Sequence, residues 1–387
     1  MHRSAVSLER LQAWLEREYH VSDEHLGIIR VLYCAFMLFV LGVPAVTWVA
    51  DNPQLFFNPP MVSAGNLLSG WPAVGVLWGL SLTLVVLFLL LLFGFFVPTV
   101  SALVSLLVIA CMNLRFSFGK IDHDVLLALV PLVMAFSGWG NRYSLARAAD
   151  RPNRSGPCIG ILAVIVGFAM FTAGYQKATT GWLDPRAHSS YGYLIGNFYM
   201  YSRGALLAAA AVHVQSGALW KGFDYFTVGF ELFFLVAVIR RSWFRLWIGL
   251  AIIFHVGTLL ILNIGFSVNF AAYLVFFEWP LPRLRFQSRT ALNLLAGATA
   301  IVVLATWWVS LRQTEPLNMR MGPSLAVYAV SRVVGQSRID DTTFEIVPYV
   351  LAVASSIMLL LKRRGQVVAA EANVALPQPS VPPAAGA

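Results

Sequence analysis

The sequence predicts an all-α integral membrane protein, a polytopic bundle of about ten transmembrane helices. Of its 387 residues, 58% are apolar and only 12% are charged, whereas a soluble domain carries about a quarter charged residues. No charged residue occurs between Asp51 and Arg115, and a spanning helix needs roughly 20 apolar residues. Because backbone amides in hydrocarbon must be paired within their own segment, such long runs indicate helices rather than the strands of a barrel.

The first 26 residues have the pattern of a helix that lies in the membrane interface. Leu11 and Leu15 belong to an apolar stripe at helical spacing, with charged residues on the opposite face. Ser22, which two acidic residues follow, predicts the N-cap of the next helix. We therefore assign residues 1–26 to an interfacial amphipathic helix that precedes the membrane domain.

Ten apolar segments have the length of a spanning helix. They cover residues 27–49, 71–93, 95–113, 123–139, 157–175, 223–239, 244–262, 266–281, 290–311 and 345–361. We interpret the alanine-rich stretch 205–214 as a helix on the outer surface, since a crossing there would invert everything after it. Residues 286–364 add two spans and an outer loop, and the proline-containing residues 365–387 predict a disordered tail.

Basic residues between the apolar runs predict the orientation. Four clusters fall on one side of the membrane: Arg142, Arg147, Arg151 and Arg154; Arg240, Arg241 and Arg245; Arg283, Arg285 and Arg289; and Lys362, Arg363 and Arg364. The positive-inside bias predicts a multi-pass protein of the inner (plasma) membrane with both termini cytoplasmic. The net charge of +9 then indicates anionic lipid, not nucleic acid, as the partner of these clusters.

Ionisable groups in or beside a span are costly, so each is a functional candidate. Lys177 ends the fifth span, and Trp182 follows it. A desolvated lysine loses its proton more easily and can act as a base, or its ammonium simply reaches the headgroups. His123 lies between two aspartates and is either a proton relay or part of a solvated helix cap, with Asp124 as a cap residue.

Three further groups lie within predicted spans. His255 is in the middle of its span, where it requires a hydrogen bond inside the bundle, either in a functional pocket or between helices. Glu231 is the most costly carboxylate, and either it is protonated or a buried donor such as His255 or Arg30 pairs with it. Arg30 itself opens the first span, where the positive-inside bias alone would place it. Motifs of soluble nucleotide-binding enzymes, metalloproteases and CxxC proteins are absent from the sequence.

Several of these residues fit one family pattern. The matching segments, in order, are Leu26–Val31, His123, Ser144-Leu145, Ala173-Gly174 with Lys177 and Trp182, Phe254-His255, and Gly265-Phe266-Ser267. Over roughly residues 20–285 the chain resembles the horizontally transferred transmembrane (HTTM) domain, the membrane domain of the vitamin K-dependent gamma-carboxylase family, and we assign residues 27–285 to an HTTM-like transmembrane domain. The resemblance implies that Lys177 acts as the base on a reduced, vitamin K-like quinone and that His123 assists it.

These observations define the candidate site. We predict as catalytic residues Lys177, His123 and His255, and as substrate-binding residues Trp182, Glu231 and Arg30. The expected cofactor is a reduced quinone, with no metal, and the aromatic outer segment 191–201 forms either a pocket roof or an interfacial belt. The expected function is a gamma-carboxylase-like activity on a lipid-soluble quinol or a related substrate.

The sequence departs from the carboxylase pattern in two places. Ala146 stands where the family usually has an acid, and the large β-rich domain that handles protein substrates is missing from the remaining residues. The alternative function is a non-enzymatic membrane accessory for maturation or export of a secreted peptide, in which Lys177 is replaceable. A transporter is less favoured, because no pair of corresponding Gly- or Pro-broken spans marks inverted repeats.

Overall fold

The computed structural model describes residues 2–44, 46–119, 123–146, 151–201, 205, 207–277, 279, 296–301 and 303–304. These residues are helical or irregular, without strands, which confirms the predicted all-α class for this part of the chain. The predicted span 345–361 and the predicted tail 365–387 lie outside the described residues, as does most of the predicted span 290–311.

The α-helices of the described chain are joined by connections that range from three residues to the long segment between α2 and α3. They are α1 (His2–Tyr19), α2 (Asp23–Ala35), α3 (Val74–Phe93), α4 (Val97–Phe116), α5 (Leu126–Met134), α6 (Ser155–Thr179), α7 (Ser189–Ile195), α8 (Ala208–Ala211), α9 (Gly217–Ala237), α10 (Arg241–Leu262) and α11 (Ser267–Tyr273). A π-helical segment, Phe36–Leu41, extends α2. A 3₁₀ turn, His123–Val125, precedes α5, and another, Leu274–Phe276, follows α11.

Five helices of the described chain are long and apolar enough to cross a membrane. They are α2 with its π-helical extension, α3, α4, α6 and α10. These apolar helices indicate a membrane protein, and they coincide with the first, second, third, fifth and seventh predicted spans. The N-cap prediction is confirmed, because the Ser22 hydroxyl oxygen accepts a hydrogen bond of 3.3 Å from the backbone N–H of His25.

Two predicted spans form helices that are too short to cross alone. The segment 123–139 contains α5, with nine residues, and the segment 266–281 contains α11, with seven residues, whereas a span needs roughly 20. Among the described residues, these two predicted spans are therefore not confirmed as full spanning helices. The physical reason is that α5 packs against α4, α6 and α11. The sequence could not show this, because an apolar segment has the same composition whether protein or lipid surrounds it.

The alanine-rich stretch also forms only a short helix. Its helix α8 has four residues, far fewer than a crossing requires. The backbone N–H of Leu207 donates a hydrogen bond of 2.8 Å to the carbonyl oxygen of Leu260, and Ala208 is buried. The segment is thus fixed against the C-terminal end of α10.

The amphipathic helix α1 buries only the C-terminal part of its apolar stripe against protein, since Leu11 is 49% exposed. Leu15 and Tyr19 are buried, and Gly160 of α6 lies directly under them. The Tyr19 hydroxyl donates a hydrogen bond of 2.5 Å to the carbonyl oxygen of Val238, and burial raises the pKa of this phenol. Helix α1 therefore closes the end of the bundle at which α6 begins and α9 ends.

Helices α6 and α9 run antiparallel in close contact, and this pair positions the candidate site. A Cβ atom on Gly174 would lie 2.8 Å from the Glu231 Cβ atom, and one on Gly167 would lie 2.8 Å from a methyl group of Val238. Small residues at such positions let two helix backbones approach closely. As a result, the last two turns of α6 lie directly against the C-terminal half of α9.

Candidate functional site

An ion pair joins α6 to α9 at this close approach. The Lys177 Nζ atom donates to both carboxylate oxygens of Glu231, at 2.7 Å and 2.6 Å. Glu231 is 4% exposed, while the Lys177 side chain is 25% exposed. The prediction that His255 or Arg30 pairs with Glu231 is therefore wrong, because the glycine contact between α6 and α9 brings Lys177 within reach instead.

Trp182 covers the exposed side of this pair. The chain turns back after α6 at Gly181, whose φ of 91° belongs to the region that favours glycine. The Lys177 Nζ atom then lies 5.5 Å from the centroid of the Trp182 ring, within the range of a cation–π interaction. Tyr193 flanks the same ring at a centroid distance of 5.7 Å. Lys177, Glu231 and Trp182 thus form one cluster.

A second polar cluster fixes the segment after Trp182 to α9. The Lys221 Nζ atom donates to the carbonyl oxygens of Trp182 and Ala187, at 2.7 and 2.8 Å, and to Asp224 at 3.2 Å. Asp224 is fully buried and accepts further hydrogen bonds from residues 189 and 190. We call Lys221 and Asp224 the anchor pair.

Sequence reasoning missed the anchor pair. Its two charges stand three positions apart, at helical spacing, at the start of a predicted span. That spacing was the available signal. The pair also explains why α9, although it has 21 residues, is absent from the five apolar helices: Lys221, Asp224 and Glu231 all lie in it and all are buried.

Replacing Lys221 by methionine should loosen the segment 182–190. The change removes three hydrogen bonds and leaves Asp224 without its cation, which together cost about 1–3 kcal/mol locally. Hydrogen exchange of these amides should accelerate about tenfold or more. Arg186→Gln is the matched control, since its exposed side chain lies in the same segment; equal exchange in both variants would refute the anchoring role.

His255 lies among the aromatic side chains of α10 and α11. Its Nε2 atom is 3.1 Å from the hydroxyl oxygen of Tyr273 on α11, and its ring stacks on Phe266 at a centroid distance of 4.4 Å. The side chain is 2% exposed. This hydrogen bond joins α10 to α11, as the interhelical alternative predicted, and does not connect His255 to Glu231.

Arg30 lies near the opposite end of the bundle from Lys177. It is fully buried, and it donates hydrogen bonds to the Ser144 hydroxyl oxygen at 2.9 Å and to the Tyr143 carbonyl oxygen at 2.6 Å. The backbone N–H of Leu145 binds the carbonyl oxygen of Phe93 at 2.8 Å. Two of the motif segments, Leu26–Val31 and Ser144-Leu145, therefore contact each other, away from Lys177.

His123 belongs to the 3₁₀ turn that precedes α5, and its side chain lies outside the described residues. The neighbouring Asp124 pairs with Arg115 at the end of α4, at 2.7 Å, with side chains 2% and 10% exposed. The interpretation of Asp124 as a solvated cap is wrong, because the turn between α4 and α5 folds the carboxylate inward onto this arginine.

Among the described residues, no group of three or more His, Cys, Asp or Glu side chains is placed to hold a metal ion. Comparisons with protein families, curated proteins and solved structures found no match for this chain. In the described part of the chain, the fold combines apolar helices, which indicate a membrane protein, with a lysine–glutamate pair between two antiparallel helices, covered by a tryptophan ring.

Proposed function

We propose that this chain is an HTTM-domain membrane protein that uses Lys177 as a base on a lipid-soluble quinol or a related substrate. The observation that carries the proposal is the cluster of Lys177, Glu231 and Trp182. In the resembling family the same lysine and tryptophan positions belong to one motif. Here the ring of that tryptophan faces the lysine, and a buried carboxylate supports it.

The pair has the parts that proton abstraction requires. Transfer of one proton from the Lys177 ammonium to the Glu231 carboxylate leaves a neutral amine beside a neutral acid. The amine lone pair then takes the proton of a quinol O–H, while Glu231 keeps the first proton. Because a buried ion pair loses the solvation of both charges, the neutral pair is much closer to it in free energy than it would be in water.

Aromatic side chains flank both the outside of α6 and the candidate cluster. Phe168, Phe171 and Tyr175 stack successively, with centroid distances of 6.4 and 6.3 Å. Phe168 and Tyr175 are exposed, so their rings face the surroundings of the bundle. This stripe lies on a different face of α6 from Lys177, which points toward α9. A quinol dissolved in the bilayer would instead reach the cluster past the exposed ring of Tyr193, which flanks Trp182, and such aromatic surfaces suit flat, apolar ligands.

The proposed orientation places the cluster near the outer face of the inner membrane, with both termini cytoplasmic. Exposed basic residues, among them Arg151 and Arg154, precede α6, whereas Lys177 lies in its last turn. At 1.5 Å per residue, the start of α6 and Lys177 are about 33 Å apart, which matches the thickness of a hydrocarbon core. The positive-inside bias therefore supports an outward position for Lys177.

The test is oxygen-dependent oxidation of reduced quinones by the purified protein. We expect Lys177→Ala to lower the rate about 10²–10⁴-fold, the usual contribution of a general base, and Glu231→Gln to lower it less. Arg186→Ala is the control, since its side chain is exposed in the segment beside the cluster. Equal rates in wild type and Lys177→Ala, or no turnover with any quinol, would reject the enzyme in favour of the accessory role.

A further inference from the structure

A cavity of about 190 Å³ lies at the end of the bundle opposite Lys177. Its wall comes from the turn between α3 and α4, the end of α5 and the segment that leads to α6. The lining is partly apolar, with Phe96 and Trp139, and partly polar, with Asn141 and Arg151. The proposed activity does not use this cavity.

The buried guanidinium of Arg30 lies next to this cavity. Gly94, which lines the cavity, has a φ of 78°, and a Cβ atom there would collide with Arg30 Nη1 and with Ser144. In the described chain, Arg30 binds only neutral groups: the Ser144 hydroxyl oxygen and the carbonyl oxygens of Arg142 and Tyr143. Its Nε atom is buried without a hydrogen-bond partner. A buried cation without a counter-charge is costly, and an anion nearby lowers that cost.

The cavity also opens beside both basic and apolar surface. Arg151 contributes to its lining and is exposed to the surroundings of the protein. Phe96, at the start of the membrane-crossing helix α4, is 77% exposed. Phe136, one residue after the lining residue Ala135, is 69% exposed. A ligand here would therefore meet positive charge at one end and lipid-facing aromatic rings at the other.

We propose that this cavity binds the phosphate group of an anionic phospholipid, with the acyl chains along the exposed rings of Phe96 and Phe136. The phosphate would lie against Arg151 and Asn141 of the lining, while Arg30, which is buried behind Gly94, would add positive potential without contacting it. Basic pockets between membrane helices on the cytoplasmic side suit such headgroups. The proposal concerns the opposite end of the bundle from Lys177, so it does not depend on the proposed enzyme activity.

Native mass spectrometry of the full chain, titrated with phosphatidylglycerol or phosphatidylcholine, tests the proposal. We expect the first phosphatidylglycerol to bind more tightly than phosphatidylcholine, and Arg151→Gln to weaken it about fivefold, the usual effect of one basic contact. Ala146→Leu should abolish the preference for phosphatidylglycerol over phosphatidylcholine, because the larger leucine side chain fills the cavity without changing its charge. The Arg151 side chain is exposed, so its replacement leaves the packing of the bundle intact.

Arg240→Gln is the matched control, since this exposed arginine follows α9 and lies away from the cavity lining. It should bind phosphatidylglycerol as the wild type does. Equal binding of both lipids, or equal weakening by Arg240→Gln and Arg151→Gln, would overturn the proposal. Inorganic phosphate is the third ligand; if millimolar phosphate displaced the bound lipid completely, the lipid assignment would be wrong and the site would be one for free phosphate.

Discussion

Replacing Lys177 by methionine is expected to lower the free energy of unfolding by about 3–5 kcal/mol, because the change leaves Glu231 buried without its cation. Both carboxylate oxygens bind the Lys177 ammonium, and Glu231 is 4% exposed. Methionine keeps most of the volume of the lysine side chain, so the decrease in the free energy of unfolding comes from the missing charge. Unfolding of the purified protein in mixed micelles, followed against the mole fraction of dodecyl sulfate, measures the difference.

The double variant Lys177→Met/Glu231→Leu separates this ion pair from simple packing. It removes both charges and is expected to recover most of the stability that Lys177→Met loses, since a well-packed apolar pair often replaces a buried ion pair at little cost. A coupling free energy near zero in the double-mutant cycle would contradict the pairing. Arg186→Gln, an exposed substitution, should stay within about 0.5 kcal/mol of the wild type.

The double-mutant cycle measures what the ion pair contributes to stability, whereas the quinol assay measures what it contributes to activity. An ion pair that is only structural would show the stability loss of Lys177→Met, but its removal together with Glu231 would not impair any activity. If Lys177 is the proton acceptor, every variant that lacks it is inactive, including the stable double variant. Loss of turnover in Lys177→Met/Glu231→Leu, combined with near-native stability, would therefore assign the pair to chemistry rather than to folding.

The sequence predicted the helices that depend on local composition. The long uncharged stretches gave α3, α4 and α10, because twenty apolar residues satisfy their backbone only as a helix. The same rule also predicted a full span at α5, whose apolar residues face other helices. Composition reports that water is excluded from a segment, and it does not report whether lipid or protein excludes it.

The sequence could not predict which residue pairs with Glu231, for a different reason. Glu231 was recognisable as a costly carboxylate, but its donor depends on which helix packs against α9. Gly174 determines that packing, and its effect appears only when the two helix backbones are placed together. Asp124 was likewise misread, because Arg115 reaches it only across the turn between α4 and α5.

The close approach at Gly174 gives the second large prediction. A Cβ atom there would lie 2.8 Å from the Glu231 Cβ atom and 2.9 Å from the backbone nitrogen of Leu232. A backbone atom cannot rotate away as a side chain can, so Gly174→Ala must separate α6 from α9. We expect a loss of about 1–3 kcal/mol, the usual cost of overpacking, measured by the same dodecyl sulfate titration.

Two further glycines make this prediction a graded series. Gly167→Ala would meet chiefly a methyl group of Val238, at 2.8 Å, which can move, so it should cost less than Gly174→Ala. A Cβ atom on Gly229 of α9 would meet nothing within 4 Å. Alanine there should therefore raise the free energy of unfolding by up to about 1 kcal/mol through its higher helix propensity. The order Gly229, Gly167, Gly174 of rising cost follows only if the backbones meet at Gly174. Because that contact also sets the separation of Lys177 from Glu231, Gly174→Ala should weaken their coupling energy in the double-mutant cycle, while Gly229→Ala should leave it unchanged.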